Sequence, residues 1–110
     1  MEAVAIAKGL RIAPRKARLV IDLIRGKSVQ EADKILKNIN KEAARMSRKV
    51  LVSAVANAEN NMGLSKENLY VKEAIVNEGQ VMKRMKFGSR GRVDPIKKRT
   101  SHIKIVVSEK

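Results

Sequence analysis

The segment Met82–His102, MKRMKFGSRGRVDPIKKRTSH, limits more than any other what this chain can fold into. It contains eight Lys or Arg residues and a single acid, Asp94, with two glycines, one proline and little apolar material. A segment of this composition cannot bury enough apolar surface to form a core of its own. The core must therefore come from the rest of the chain, and the segment must serve another purpose.

The charge of the chain is concentrated around this segment. Residues 82–104 carry nine basic side chains and one acid, a net charge of +8, whereas the whole chain of 110 residues carries +14. So large a charge opposes compaction of the isolated chain and predicts a polyanionic partner. Nucleic acid is the first candidate and an anionic membrane surface the second. A merely solvated basic surface usually explains only a few units of charge.

The remaining residues are sufficient for one domain with one modest core, because 44% of the chain is hydrophobic. Tyr70 and Phe87 are the only aromatic residues, which weakens any function that requires rings to stack on bases. The absence of cysteine excludes disulfides and thiolate metal sites. We see no signal peptide and no transmembrane span, so we expect the cytoplasm.

Three helices are predicted. Pro14 marks the first turn of the first helix, with Ala13 as a poor N-cap and Gly26 as its end. The capping box that starts at Ser28 predicts a second helix over residues 29–39. The third helix should run over residues 41–61 between an Asn40 cap and Gly63. It has apolar residues on several faces, so it should be central and packed on more than one side.

Three strands are also predicted, over residues 3–12, 69–77 and 103–108. In the first strand large residues (Val4, Ile6) alternate with small ones (Ala3, Ala5), and something large could lie against the small face. The other two strands flank the basic segment, so the simplest connection is a β-hairpin. The glycines at 88 and 91 allow its turn, and Pro95 restricts its return to an edge or free ribbon.

We therefore predict a single domain over residues 1–110, with a body (1–78 and 103–110) and a basic β-hairpin arm (79–102). An apolar strand anchors the far end of the segment, which favours an arm over a disordered tail. A two-stranded ribbon is marginally stable alone, so we expect it to become ordered when its charges meet phosphates.

Two groups of residues are candidates for binding a nucleic acid. The arm contributes Lys83, Arg84, Lys86, Arg90, Arg92, Lys97, Lys98, Arg99 and His102. The start of the first helix contributes Arg11, Arg15, Lys16 and Arg18, next to a helix N-terminus that also attracts phosphate. The alternative for this second group is an ordinary solvated helix face. For His102 we expect a hydrogen bond to phosphate, to ribose or to a neighbouring strand. No residue pattern indicates a metal site, a cofactor or a catalytic group.

Three stretches resemble one known family. RIAPRKARLVIDLIRGKSVQEADKIL, VLVSAVANAENN and EGQVMKRMKFGSRGRVDPIKKRTSHIKIVVSE together are similar to bacterial ribosomal protein twenty-two of the large subunit, over almost the whole chain. The resemblance implies an α+β fold in which three helices pack on a small three-stranded antiparallel sheet, with a long protruding β-hairpin. It implies no enzymatic activity and no homo-oligomer.

The resemblance also implies partners and roles. The body would lie near the outer opening of the polypeptide exit tunnel, and the hairpin would run inward through 23S rRNA and support subunit assembly. Ser101 and His102 fall on the returning strand, which is embedded in rRNA in this family. The residues that match the tunnel-lining part of the hairpin are Met82, Lys83, Arg84, Gly88, Ser89, Arg90, Gly91 and Arg92. Partners would be neighbouring ribosomal proteins, including ribosomal protein four at the tunnel constriction, and the nascent polypeptide.

The principal alternative is a nucleoid architectural protein that grips DNA with basic β-arms, a class that usually works as a dimer with a shared core. An RNA-modifying enzyme is a remote option without an acid–base or cofactor motif to support it. A membrane-active basic peptide is weaker still, because the arm lacks a continuous apolar face, and we expect no membrane partner.

Overall fold

A computed structural model defines the backbone of residues 2–87 and 93–109, and the side chains of residues 2–79 and 99–109. The predicted turn at residues 88–92 lies outside the described residues. The elements in chain order are β1 (Glu2–Leu10), α1 (Pro14–Ile21), α2 (Val29–Asn38), α3 (Glu42–Met62), a short 3-10 turn (Lys66–Asn68), β2 (Leu69–Phe87) and β3 (Val93–Glu109).

The three strands form one antiparallel sheet in the order β1–β3–β2. β1 pairs with β3 from Glu2↔Ser108 to Leu10↔Ser101 and then ends. β2 and β3 continue as a pair from Val81↔Arg99 to Phe87↔Val93. The sheet therefore narrows from three strands to two, and the two strands run on as a ribbon. The predicted fold class, an α+β fold with a long β-hairpin, is confirmed.

The molecule is correspondingly elongated. Its principal extents are 61, 26 and 17 Å, and its radius of gyration is 16.9 Å. A compact chain of the same length would have a radius of gyration of about 13 Å. Pro95, opposite Met85, lies in the two-stranded part, where β3 has a free edge. That location agrees with the predicted restriction on proline.

The inner face of the sheet is covered by α3. Ala3 and Ala5 are buried beneath this helix, whereas Val4 and Ile6 on the opposite face are 41% and 52% exposed. The small residues of β1 thus form the core face, because their size lets the long helix approach the sheet closely. Ile103, Ile105 and Val107 of β3 are fully buried and form the middle of the core. β1 ends at Leu10, two residues earlier than predicted.

The first helix is shorter than predicted. It ends at Ile21, and residues 22–26 form turns, in which Leu23 N–H donates to Val20 O (3.1 Å) and Ile24 N–H to Ile21 O (3.1 Å). Gly26 has a left-handed φ of +79°, as expected of a glycine that ends a helix, but it lies beyond the end of α1 and bonds to the sheet. Its N–H donates to Val71 O (2.9 Å), which explains why the chain leaves the helix early.

The other helix boundaries agree closely with the sequence. Ser28 Oγ accepts a hydrogen bond from Glu31 N–H (3.2 Å), which confirms Ser28 as the N-cap of α2, the first half of the predicted capping box. Gly63 ends α3 in the left-handed conformation, with φ of +66°. The N-cap of α3 is Lys41 rather than Asn40, and its side chain makes no capping hydrogen bond. α3 contacts β1, β3, α1 and α2, so its predicted central position is confirmed.

An ion pair joins α2 to α3. Arg48 Nε donates to Asp33 Oδ1 (2.7 Å), and Lys37 lies 3.4 Å from the other carboxylate oxygen. Partial burial alone would raise the pKa of Asp33, but the hydrogen bonds from Arg48 and Lys37 outweigh it and leave that pKa lowered. The carboxylate therefore stays ionised and holds the two helices in register.

The outer edge of β2 is covered by α1 and the turn after it. Arg25 Nη2 donates to Ala74 O (2.6 Å) and Arg18 Nη2 to Val76 O (3.2 Å). Val71 N–H donates to Lys27 O (2.8 Å). Exposed strand edges are templates for unwanted pairing, and in the body this edge is satisfied by side chains and by a short segment of the chain.

The described core lies entirely in the body. We therefore expect the body to fold without the arm. Deleting residues 82–98 and joining Val81 to Arg99, which face each other in the ladder, through Asn-Gly should preserve a cooperative thermal transition. The deletion keeps Thr100 and Ser101, both buried. It also removes seven basic side chains and one acid. We expect the melting temperature of the deletion variant to stay within roughly 5 °C of the full chain.

Circular dichroism melting of both proteins at equal concentration checks this. A broad, non-cooperative transition of the shortened chain would show that the arm is part of the folding unit.

Candidate nucleic-acid interface

A basic groove separates the N-termini of α1 and α3. It has a volume of about 600 Å³, and its walls are Arg11, Ile12, Ala13, Lys16, Leu19, Lys41, Glu42 and Ala43. Arg11, Lys16 and Lys41 all line it, and all three side chains are exposed. We call these residues the basic groove. Its charge is suited to a phosphate backbone.

The two helix ends at this groove are uncapped by side chains. Lys16 N–H and Ala17 N–H donate to Ala13 O (3.0 and 3.2 Å), and Ala44 N–H and Arg45 N–H donate to Lys41 O (3.1 and 3.2 Å). At α1 only Arg15 N–H precedes the first helical hydrogen bond, because Pro14 has no N–H, whereas at α3 the N–H groups of Glu42 and Ala43 precede it. Together with the helix dipoles, they add partial positive charge to the groove.

Among the described residues, Glu42 is the one acid in the wall of the basic groove. Arg45 forms an ion pair with it one turn along α3, and the hydrogen bond from Arg45 lowers the pKa of Glu42. The Glu42 carboxylate is thus paired with Arg45 of the same helix. The net charge of the groove remains positive.

The four predicted residues at the start of the first helix do not act as one cluster. Arg11 and Lys16 line the basic groove, and Arg15 is exposed nearby. Arg18 donates to Val76 O, so part of its guanidinium serves the edge of β2. Lys41, which the sequence indicated only as part of a cationic edge of the third helix, completes the groove. Only the packing of α1 against α3 brings it into the same groove as Lys16.

The sheet narrows at a group of small and polar residues that we call the neck: Gly9, Gly79, Thr100, Ser101 and His102. Ser101 has no exposed surface, and its Oγ donates to Ile12 O (2.6 Å). A direct contact of this hydroxyl with rRNA is incompatible with that location, so Ser101 leaves the candidate interface. The buried hydroxyl instead satisfies a carbonyl just beyond β1.

His102 makes the third of its three expected contacts, to a neighbouring strand. Its Nδ1 accepts a hydrogen bond from Gly9 N–H (3.0 Å), which requires this nitrogen to be unprotonated. Gly9 has a left-handed φ of +68°, and the β1–β3 register shifts between Ala7 and Leu10. The imidazole therefore satisfies the donor of a β-bulge. The rest of its ring is half-buried.

Along the arm the backbone is described but most side chains are not. Arg99 is exposed at the neck. The positions of Lys83, Arg84, Lys86, Lys97 and Lys98 are fixed on β2 and β3, whereas Arg90 and Arg92 lie outside the described residues. Lys83 stands opposite Lys97 in the ladder. Like charges at directly opposite positions weaken the pairing of an isolated ribbon.

Other kinds of site find no support in the part of the chain that the structure describes. No three His, Cys, Asp or Glu side chains there come together in a way that could hold a metal ion. None of its helices has the length and apolar content to cross a membrane.

The fold and its charges define a class: a small α+β protein whose sheet extends into a long basic β-ribbon. Within that class, the profile of the family described as ribosomal protein L22p/L17e matches residues 5–108, and the chain belongs to this family. Two proteins named large ribosomal subunit protein uL22, from Thermus thermophilus and Carboxydothermus hydrogenoformans, are 56% and 58% identical to it. Each comparison covers 100% of this chain and 97% of the relative.

A third relative of the same name, from Thermotoga sp. (strain RQ2), is 58% identical over all of this chain and 69% of its own length. The predicted membership of the twenty-two family of the large subunit is confirmed.

The close packing of the neck predicts that any side chain at position 79 will destabilise the protein. A Cβ at this position would collide with Thr100 Oγ1 and lie 3.1 Å from His102 Cε1. Gly79→Ala should therefore lower the free energy of unfolding by about 1–3 kcal/mol, although alanine normally suits a strand better than glycine. Urea denaturation of the purified chain measures this.

Glu78→Ala is the matched control, because Glu78 is the exposed neighbour on the same strand. Its expected effect is within about 0.5 kcal/mol. Equal stability of Gly79→Ala and the unmodified protein would contradict the close packing described for the neck.

Proposed function

We propose that this protein is a structural constituent of the large ribosomal subunit in the cytoplasm and that it binds 23S rRNA without catalysing a reaction. The single observation that carries the proposal is the family match over residues 5–108. The names of the relatives place those proteins in the large subunit. The charge of +14 supplies the physical reason for an RNA partner.

Binding would be electrostatic at two places. The basic groove would receive an rRNA phosphate strand between Arg11 and Lys16 on one side and Lys41 on the other. The arm would enter rRNA with Lys83, Arg84, Lys86, Arg90, Arg92, Lys97, Lys98 and Arg99, and with the outer side of His102. Each phosphate that is neutralised releases a counterion, which gives affinity without base reading.

The arm also explains why RNA is needed as a packing partner. A two-stranded ribbon gains little from its own contacts in water, and the Lys83–Lys97 pair adds repulsion. Folded RNA provides crevices with phosphates on several sides. Arm and rRNA would therefore stabilise each other, which would support subunit assembly.

At the end of the arm we propose a contact with the polypeptide exit tunnel. The residues are Met82, Lys83, Arg84, Gly88, Ser89, Arg90, Gly91 and Arg92, by position in the family resemblance. Neighbours there would be ribosomal protein four and the nascent polypeptide. The body, residues 1–78 and 103–110, would remain monomeric near the tunnel opening.

The subunit assignment predicts where the protein sediments. A tagged copy expressed in bacteria should co-sediment with the large subunit in a sucrose gradient, remain there after DNase treatment and be released by RNase. An arm-deleted copy serves as the comparison and should be depleted from those fractions. Co-sedimentation with DNA, abolished by DNase, would support the alternative of a nucleoid architectural protein.

The phosphate mechanism predicts steep salt dependence. Binding of the full chain to transcribed 23S rRNA should weaken strongly between 50 and 200 mM salt, at roughly 0.7–0.9 logarithmic units of slope per phosphate contacted. The variant Arg11→Gln/Lys16→Gln/Lys41→Gln should reduce that slope by about 2. Filter binding over a salt series measures both slopes.

The variant Lys27→Gln/Lys34→Gln/Lys66→Gln is the matched control, because it removes the same charge from exposed residues outside the basic groove. A slope that falls equally in both triple variants would show that net charge matters and the groove does not.

A further inference from the structure

The two edges of the sheet differ in how they are satisfied. Arg18, Arg25 and the turn at Lys27 cover the outer edge of β2 through hydrogen bonds to Val76, Ala74 and Val71. On the outer edge of β1, the described residues show one such contact, from Asn57 Nδ2 to Val4 O (3.0 Å).

The direction of the other backbone groups on β1 follows from this contact. The Val4 carbonyl points away from β3, and backbone groups alternate along a strand, so those of Ile6 and Lys8 point the same way. The opposite edge gives an independent check. The carbonyls of Ala74 and Val76 point outward, so the backbone groups of Glu73 and Ile75 point towards β3 and pair with those of Val106 and Lys104. The backbone groups of Val106 and Lys104 therefore point away from β1, which leaves those of their β1 partners, Val4 and Ile6, without a bond to β3.

A groove of about 230 Å³ runs beside this edge. Its walls are Ala5, Ile6, Ala7 and Leu10 of β1 and Arg45, Met46, Lys49, Val50 and Ser53 of α3. Ile6 is 52% exposed. Within the described part of the chain, no residue outside the sheet bonds to the outward backbone groups of Ile6 or Lys8. An exposed strand edge beside an apolar groove is the geometry in which a peptide adds as a further strand.

The free part of the edge is short and bounded. Asn57 closes it at Val4, and the bulge closes it at Gly9, whose N–H is turned back to His102. This leaves a window at residues 6–8, enough for an extended segment of about three or four residues.

We propose that this window binds an extended segment of another protein, with acidic and apolar side chains, as a short fourth strand antiparallel or parallel to β1. The segment's N–H would donate to Ile6 O, and its carbonyls would accept from Ile6 N–H and Lys8 N–H. Its apolar side chains would contact Met46 and Val50, and its acids Lys49 and Lys8.

The chemistry of the window favours this occupant over two others. A ribose 2′-hydroxyl of RNA could donate to the Ile6 carbonyl, but RNA does not offer the alternating N–H and carbonyl groups of a strand, and much of the groove wall is apolar. A second copy of this chain would bring another +14 charge against the first. A protein segment with acidic side chains can both hydrogen-bond to the outward backbone groups of the window and pair with its lysines.

The test uses intact large subunits and so depends on the proposed function for its material. A photo-reactive p-benzoylphenylalanine at Ser53, inside the groove, should cross-link to a protein. The same group at Val52, which is exposed and lines a different cavity on α3, should not give that product. If the chain were absent from subunit fractions, the proposed function would be wrong. If the chain were present but gave no Ser53 cross-link to a protein, only the strand-binding proposal would be wrong.

Deuterium uptake provides the second measurement. In the free chain, Ile6 and Lys8 N–H should exchange quickly while Ala5 and Ala7 N–H are protected, and in subunits uptake of the segment containing Ile6 and Lys8 should fall. Lys49→Glu should lower the Ser53 cross-link several-fold, and Lys34→Glu should leave it unchanged. Cross-linking to rRNA alone, no cross-link, or unchanged uptake between free chain and subunit would each overturn the proposal.

Discussion

Strand β3 belongs to the body and the ribbon at once, and the hydrogen-bond ladder along it is the constraint on which the rest of the structure depends. At one end, Ile103, Ile105 and Val107 are fully buried under α3. At the other end the same strand pairs with β2 as far as Val93↔Phe87. Because the backbone is continuous, the core orients a ribbon that contributes little stability of its own.

The chain separates two tasks that normally compete. Its core is built from Ala, Val, Ile and Leu, and alanines on β1 and α3 let the helix lie close to the sheet. Its charge is concentrated at the ribbon and at the basic groove, where no core has to form. The cations of the basic groove, Arg11, Lys16 and Lys41, are exposed, so burial does not penalise their charge. The cost is repulsion among like charges, as where Lys83 and Lys97 occupy opposite positions of the ladder.

The sequence predicted the elements better than their ends. Periodicity identified all three helices and strands, and the capping signals at Ser28 and Gly63 were correct, because these are local chemistry. The early end of α1 was not predictable, because Gly26 is drawn to Val71 O, a partner 45 residues away. The basic groove was half predictable: Arg11 and Lys16 form a visible cluster, whereas Lys41 joins them only through tertiary packing.

The neck shows why composition misleads within a basic segment. Ser101 and His102 follow a run of cations and resemble further RNA ligands, yet each satisfies a backbone group of the segment around β1. β1 ends with a bulge, so the Ile12 carbonyl and the Gly9 N–H have no partner in the ladder. The side chains of Ser101 and His102 supply the two missing hydrogen bonds. The side chains come from β3, the strand that continues into the ribbon. The end of β1 and the start of the ribbon are thereby joined by hydrogen bonds between β3 and the segment around the end of β1.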